Sequence, residues 1–128
     1  MNAKTNRNED IYREIIETLK GEGLEQTPEL RVDAESGDVW VGGKRIELQP
    51  KEHALLLFLH RNAGKVCSKD EIAEAVWPEY KGAVYDYNIE KLISRLRHKI
   101  EPDPAHPQYI ITVRGRGYRF KSEAGGAP

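Results

Sequence analysis

Residues 86–101 restrict the fold most strongly, because their aliphatic side chains fall on one side of a helix. At about 100° per residue, all of these side chains lie within about 60° of Ile89. They belong to Ile89, Leu92, Ile93, Leu96 and Ile100. Pro102 and Pro104 end the pattern, since proline disrupts a helix interior. We therefore predict a helix from Asp86 to Glu101 that buries one face and exposes a polar, largely cationic face.

A β-hairpin is predicted next, over residues 109–121. Two β-prone runs flank Arg114-Gly115-Arg116-Gly117, and the glycines permit the positive φ that a tight turn needs. Arg114 and Arg116 are two residues apart, so we expect them to project on the same side near the tip. The hairpin would present two cations at its end.

The chain before these elements predicts a small antiparallel sheet and two helices. Short alternating runs at 30–32, 39–41 and 45–48 are separated by turn signals at 36–38 and 42–43, which indicates three or four strands. A helix beginning at Pro50 contains the apolar run 55–59, so it should be sandwiched between the sheet and the other helices, and it ends at residues 62–64.

Ser68 begins the next helix, with Glu71 three residues later as a capping box, and this helix closes before Pro78. Residues 78–85 form a loop longer than that of a compact helix-turn-helix. The predicted fold class is α+β, with an N-terminal antiparallel sheet, a three-helix core and a C-terminal hairpin.

The two ends of the chain are expected to lie outside this domain. Residues 1–28 are predicted to hold a short helix over 9–20 and a linker. Residues 29–121 form the domain, and a disordered tail is expected over 122–128.

Composition indicates a soluble, cytoplasmic protein. Of 128 residues, 38% are apolar and 32% are charged, and the longest apolar run, 54–59, is too short to span a bilayer. Cys67 is the single cysteine, which excludes an intrachain disulfide and suits a reducing compartment. We expect no membrane partner.

The net charge of −1 hides an uneven distribution. Residues 86–121 carry eight Lys and Arg against four acids, which gives 8 − 4 = +4, whereas residues 1–85 carry twelve against sixteen, which gives −4. A basic third on an acidic remainder can present one positive face to a polyanion.

The polar face of the helix at 86–101 has the side chains of a DNA reader. Arg95 and Lys91 can donate to guanine, and Asn88 can pair with adenine. The side chains suited to phosphate are those of Tyr87, Ser94 and His98. A basic amphipathic helix is more often a solvated face, but this mixture favours the major groove of duplex DNA.

The hairpin arginines Arg114 and Arg116 favour the minor groove, whose negative potential attracts such side chains. The alternative is an edge hairpin that its arginines protect from aggregation. Trp77 is expected in the core, although its indole N–H is able to reach a phosphate.

Other chemistry is weakly supported. His53 and His60 share a helix face without a third ligand at metal spacing, and no nucleophile is paired with a base. We expect no enzyme, no metal and no cofactor. A winged helix that serves as a protein-interaction module stays open as the alternative to DNA binding.

In combination, these residues resemble the C-terminal effector domain of OmpR/PhoB-type response regulators, a winged helix-turn-helix family. The resemblance covers about residues 30–121. It is carried by the segments at 48–52, 62–66, 68–71, 76–77, 93–100 and 109–120. It implies an N-terminal four-stranded sheet, three helices and a wing.

The resemblance also implies roles. The residue at Arg95 would read a base, Lys91 would lie against the bases, and Arg114 would enter the minor groove. Backbone contacts are implied for Trp77, Tyr87, Asn88, Ser94, Arg97 and Tyr118. Residues 78–86 would touch RNA polymerase, and such domains bind tandem direct repeats of double-stranded DNA.

Three departures from the family pattern stand out. Tyr87 occupies a position where the family commonly has arginine, which weakens one expected phosphate anchor. Gln49 replaces the usual threonine cap of the first helix. No receiver domain precedes the sheet, so we expect either a fragment of a longer regulator or a chain that is controlled differently. The N-terminal helix would then be a remnant, a dimerisation element or a partner site.

Overall fold

The structure, a computed structural model, describes residues 29–122. The helix and linker predicted within residues 1–28, and all but the first residue of the predicted tail, lie outside the described residues. In chain order, the regular elements are β1 (Leu30–Val32), β2 (Val39–Val41), β3 (Lys44–Ile46), α1 (Pro50–Arg61), β4 (Val66–Cys67), α2 (Lys69–Val76), α3 (Asp86–Ile100), β5 (Ile110–Val113) and β6 (Gly117–Phe120). A short 3-10 turn, Pro78–Tyr80, lies within the predicted loop.

The first sheet has three antiparallel strands in the order β1-β2-β3. Val39 at its centre pairs with Val32 and with Ile46, and it is buried against the helices. The prediction of three or four strands is confirmed. The resemblance implies a fourth strand in this N-terminal sheet, but within residues 29–122 the sheet has only β1, β2 and β3. The last strand ends at Ile46 rather than at residue 48 because the chain turns there into the cap of α1.

Helix α1 begins at Pro50 and ends at Arg61, as predicted. The carboxylate of Glu52 accepts a hydrogen bond from the Gln49 N–H at 2.8 Å, which satisfies a free donor at the helix start. Leu55, Leu56 and Leu59 are fully buried, since α1 packs against both α2 and α3. The expected packing of this helix against the other two helices is confirmed, and it also contacts β6.

Helix α2 begins with the predicted capping box at Ser68. Its hydroxyl oxygen accepts from the Glu71 N–H at 3.0 Å, and its own N–H donates to the Glu71 carboxylate at 3.0 Å. The helix ends at Val76, directly before Trp77 and Pro78. This agreement follows from a local signal that needs no tertiary contact.

Helix α3 buries all five aliphatic residues of its predicted inner face. The hairpin that follows pairs Ile110 with Phe120 and Val113 with Gly117. Its three-residue tip closes with a hydrogen bond from the Arg116 N–H to the Val113 carbonyl at 2.8 Å, and Gly115 adopts φ +76°.

The second sheet has one strand more than the predicted hairpin. Val66 and Cys67 pair with Arg119 and Tyr118, so β6 lies between β4 and β5. Gly117 permits this close approach, because a Cβ atom there would overlap the carbonyl oxygen of Cys67. The strand β4 thereby attaches the wing to the start of α2.

No helix within residues 29–122 has the length and the apolar character needed to cross a bilayer.

Candidate nucleic-acid interface

The outward face of α3 is open to solvent along its whole length. Tyr87 is 64% exposed at its start, and the other predicted side chains of this face are exposed as well. They are Asn88, Lys91, Ser94, Arg95 and His98. No described part of the chain covers them. The recognition face (these six residues) is therefore free to meet a large partner.

The cations of the interface form no ion pair in the part of the chain that the structure describes, although Arg95 is near enough to Glu52 to help lower the pKa of that carboxyl. Within residues 29–122, no ion pair forms at Lys91, Arg95, Arg114 or Arg116. Lys91 instead lies 5.6 Å from the centre of the Tyr87 ring, a cation–π contact that keeps its ammonium at the surface. These positive charges remain available to phosphates or to base edges.

Two acids of α3, Asp86 and Glu90, are partly neutralised by Lys69 at the start of α2. The Lys69 ammonium lies 2.9 Å from the Glu90 carboxylate and 3.4 Å from that of Asp86. Exposed pairs of this kind add little to stability. Their consequence here is electrostatic, since they weaken the negative field beside the recognition face.

The other end of the recognition face is tied to α1 by an ion pair between the exposed Lys99 and the buried Glu52. The Glu52 carboxylate is 3% exposed and lies 2.7 Å from the Lys99 ammonium. Burial opposes ionisation of Glu52, but the hydrogen bonds from Lys99 and from the Gln49 N–H outweigh it and hold the pKa below its ordinary value. Lys99 thus has a structural role and is less available to DNA.

Two grooves flank the row formed by Lys91, Leu92 and Arg95. One groove is lined also by Lys51, Trp77 and Asn88, and the other by residues that include Ser94 and His98. Side chains of the recognition face therefore line two adjoining grooves at the surface.

Lys51 is a residue of the interface that the sequence reasoning missed. Its ammonium donates to the Val76 carbonyl at 2.7 Å, and it forms an ion pair with Glu79 at 2.9 Å. A cation in the first turn of a helix opposes the helix dipole, and this irregularity was the available signal. Trp77, 5.8 Å from this ammonium, packs against the core but is only half-buried, and its contact with a phosphate stays a prediction.

The wing tip lies beside the N-terminal half of α3. Arg114 and Arg116 are exposed, and they line a single groove together with Asp86 and Glu90. The structure thus brings the predicted hairpin arginines next to the predicted recognition helix.

Arg97 and Tyr118 are placed differently from the other predicted residues. The guanidinium of Arg97 donates to the Ile110 carbonyl, at 3.1 Å from Nε and 2.6 Å from Nη2, and to the Thr112 hydroxyl at 2.8 Å. Tyr118 lies under this guanidinium and is only 6% exposed, and burial raises the pKa of its hydroxyl. Arg97 thus contacts the wing and Tyr118 belongs to it, and the implied contacts of both with the DNA backbone stay predictions.

The remaining reactive side chains have structural surroundings. His53 Nε2 lies 2.7 Å from the Gly37 carbonyl, and His60 packs edge-on against Phe120. Cys67 is buried, which raises the pKa of its thiol. Within the described range 29–122, no group of three or more potential ligands is placed to hold a metal ion.

Comparisons with known proteins give one consistent family. Residues 43–120 match the profile of the family described as "Transcriptional regulatory protein, C terminal". The sensory transduction protein RegX3 of Mycobacterium leprae is 39% identical over 102 residues, which cover 79% of this chain and 50% of that protein.

Solved structures share the fold. The response regulator DrrB of Thermotoga maritima, an OmpR/PhoB homologue, superposes with a TM-score of 0.67 at 34% identity, over 84% of this chain and 49% of that one. The RstA DNA-binding domain of Klebsiella pneumoniae, solved in complex with the RstA box, gives 0.62 at 28% identity, over 75% of this chain and 94% of that one.

The chain spans about half the length of RegX3 and of DrrB. The profile match, the relatives and the superpositions agree with the sheet, the three helices and the wing described above. The chain belongs to the family of OmpR/PhoB-type C-terminal effector domains of transcriptional regulators, and its fold is a winged helix.

Proposed function

We propose that this chain binds double-stranded DNA in a sequence-specific manner as part of a bacterial transcriptional regulator. Helix α3 enters the major groove and the wing, residues 109–121, lies at the minor groove. The observation that carries this proposal is the exposed recognition face, whose cations have no carboxylate partner in the described chain. The RstA domain in complex with its box supports the proposal by homology.

Each side chain of the interface has a role that follows from its chemistry. Arg95 and Lys91 donate to base edges, of which guanine is the preferred partner, and Asn88 pairs with adenine. Arg114 and Arg116 enter the minor groove, where a narrow groove strengthens the attraction. The groups that bind phosphate and set the register are Trp77, Tyr87, Ser94 and His98.

Further partners follow from the family. We propose that the site is a tandem direct repeat and that residues 78–86 contact RNA polymerase. This loop exposes Tyr80 and Tyr85, at 55% and 80%, and such amphipathic aromatic side chains are common at protein interfaces. The regulator would act in the cytoplasm as the output of a two-component system.

A titration with duplex DNA across salt concentration tests DNA binding. We expect the logarithm of the binding constant to fall linearly with the logarithm of salt concentration, by about 0.9 for each phosphate contact. Duplexes selected from a random pool supply the probe and reveal whether the preferred sites are repeated. Selected sites without a repeat would reject the direct-repeat proposal.

The second candidate is a winged helix that binds a protein. Two observations favour protein binding over DNA binding: the exposed tyrosines of residues 78–86 and the net charge of −1, which disfavours attraction to a polyanion. If the chain retained no duplex even at low salt, DNA binding would be rejected and this candidate would replace it.

A further inference from the structure

Two charged side chains at the end of α3 hold the first strand of the wing. Arg97 donates three hydrogen bonds, two to the Ile110 carbonyl and one to the Thr112 hydroxyl. Glu101 accepts from three backbone N–H groups, those of Gln108 at 2.6 Å, Tyr109 at 3.0 Å and Ile110 at 2.8 Å. The Ile110 N–H and carbonyl are therefore both bound by side chains of the α3 end.

Burial makes this connection rigid. Glu101 is only 7% exposed, so its charge has little contact with water and depends on the three N–H donors. Arg97 is half-buried, and its planar fork fixes direction as well as distance. We call Arg97 and Glu101 the wing strut.

Such a strut matters because the two grooves of a duplex lie at a fixed separation. A recognition helix and a wing that engage both grooves must have the matching spacing, and a wing that moves freely loses conformational entropy on binding. Glu52 and Lys99 fix the same helix to α1, so the strut completes the alignment of α3 with its neighbours.

We propose that Arg97 and Glu101 are positioning residues that fix the wing relative to α3, so that Arg114 adds to DNA affinity only while the strut is intact. This proposal rests on the proposed function. Arg97 then acts through the wing, in contrast to the direct phosphate contact that the family resemblance implies.

A double-mutant cycle on the full chain tests the strut. The probe is a duplex selected from a random pool by the wild-type chain, and the variants are R97M and E101Q, each with and without R114A. We expect R114A to weaken binding by about tenfold in the wild-type background but by no more than about threefold in the strut variants, since coupled residues are not additive. Matched controls are R61M and E74Q, which exchange exposed residues on α1 and α2.

The variant R97K separates the strut from a phosphate anchor. Lysine keeps the charge but not the fork. If Arg97 positions the wing, R97K resembles R97M, because neither side chain can bind Ile110 and Thr112 with a planar fork. If Arg97 binds a phosphate, R97K keeps most of the affinity that R97M loses, which overturns the proposal.

Footprints at saturating protein give a readout that a loss of stability alone does not produce. We expect R97M to lose protection of the sugars along the minor groove while it keeps protection of guanine N7 in the major groove. R97M also keeps the test valid if E101Q does not fold.

The outcomes are distinct. R114A could weaken binding by the same factor in all backgrounds, and R97M could lose protection of both grooves equally. These results would reject the strut and leave DNA binding intact. A wild-type chain that selects no duplex would reject the proposed function and the strut with it.

Discussion

At the scale of single residues, Glu52 shows how one carboxylate joins two helices. It accepts from the Gln49 N–H at the start of α1 and forms an ion pair with Lys99 near the end of α3. Removal of Lys99 would leave the buried carboxylate of Glu52 without its cation, which is costly. Glu52 therefore supports the position of the recognition helix, although it does not face the DNA.

The lowered pKa of Glu52 predicts a pH dependence of stability. A carboxyl group whose folded-state pKa is depressed stabilises the fold above its unfolded-state pKa, here 4.5, and loses this contribution as pH falls through the folded-state pKa. We expect the free energy of unfolding, measured with urea, to fall as pH decreases from about 5. The fall should be smaller in E52Q, and equal slopes in both proteins would contradict the assignment.

Gly117 is required where β6 passes close to the backbone of β4, so its substitution should lower the stability of the fold. A side chain there would meet the Cys67 carbonyl, and its φ of +138° disfavours other residues. We expect G117A to lower the free energy of unfolding by about 2–4 kcal/mol. The control is G43A, with a φ of +82° and open space around the added methyl group, for which about 1 kcal/mol is expected. Similar losses in both variants would show that the contact with Cys67 is unimportant.

At the scale of elements, the sequence predicted those with strong local signals. Helix α3 follows from its aliphatic periodicity, α2 from the capping box at Ser68, and the wing from its glycine-containing tip. Strand β4 has two residues, too few for any periodicity, and it exists because β6 offers it a partner.

In the candidate site, too, local sequence patterns predicted some residues, whereas others depend on tertiary contacts. Exposure of the recognition face follows from helical geometry, so the positions of Lys91 and Arg95 could be predicted. The wing strut depends on contacts between α3 and backbone groups of residues 108–110, and no pattern of side chains marks such contacts. The resemblance implied a DNA-backbone contact for Arg97, but its partners on β5 could not be predicted from the sequence.

The contact between α2 and α3 gives an element-scale prediction. Lys69 partly neutralises Glu90 and Asp86 beside the wing, so K69M should weaken binding to all duplexes by a few-fold at low salt, with little change in stability. The added substitution E90Q should restore much of the affinity, and K65M, at an exposed lysine, is the control. If E90Q restored nothing, Lys69 would act as a direct phosphate contact instead.

At the scale of the whole molecule, charge is distributed so that a chain with a net charge of −1 presents a cationic surface. Acids near that surface are bound internally: Glu52 by Lys99, Glu101 by backbone N–H groups, and Glu90 by Lys69. The cations of the recognition face and of the wing have no such partners in residues 29–122. The local field, rather than the total charge, decides whether the domain attracts a phosphate backbone.

The affinity of R95A for a selected duplex and for a random duplex tests most directly whether the recognition face reads bases. We expect R95A to lose about 1–3 kcal/mol on the selected duplex and much less on the random one, with relaxed preference at one base pair. Equal losses on both duplexes would show that Arg95 contributes only charge, and would contradict its assignment as the side chain of α3 that reads a base.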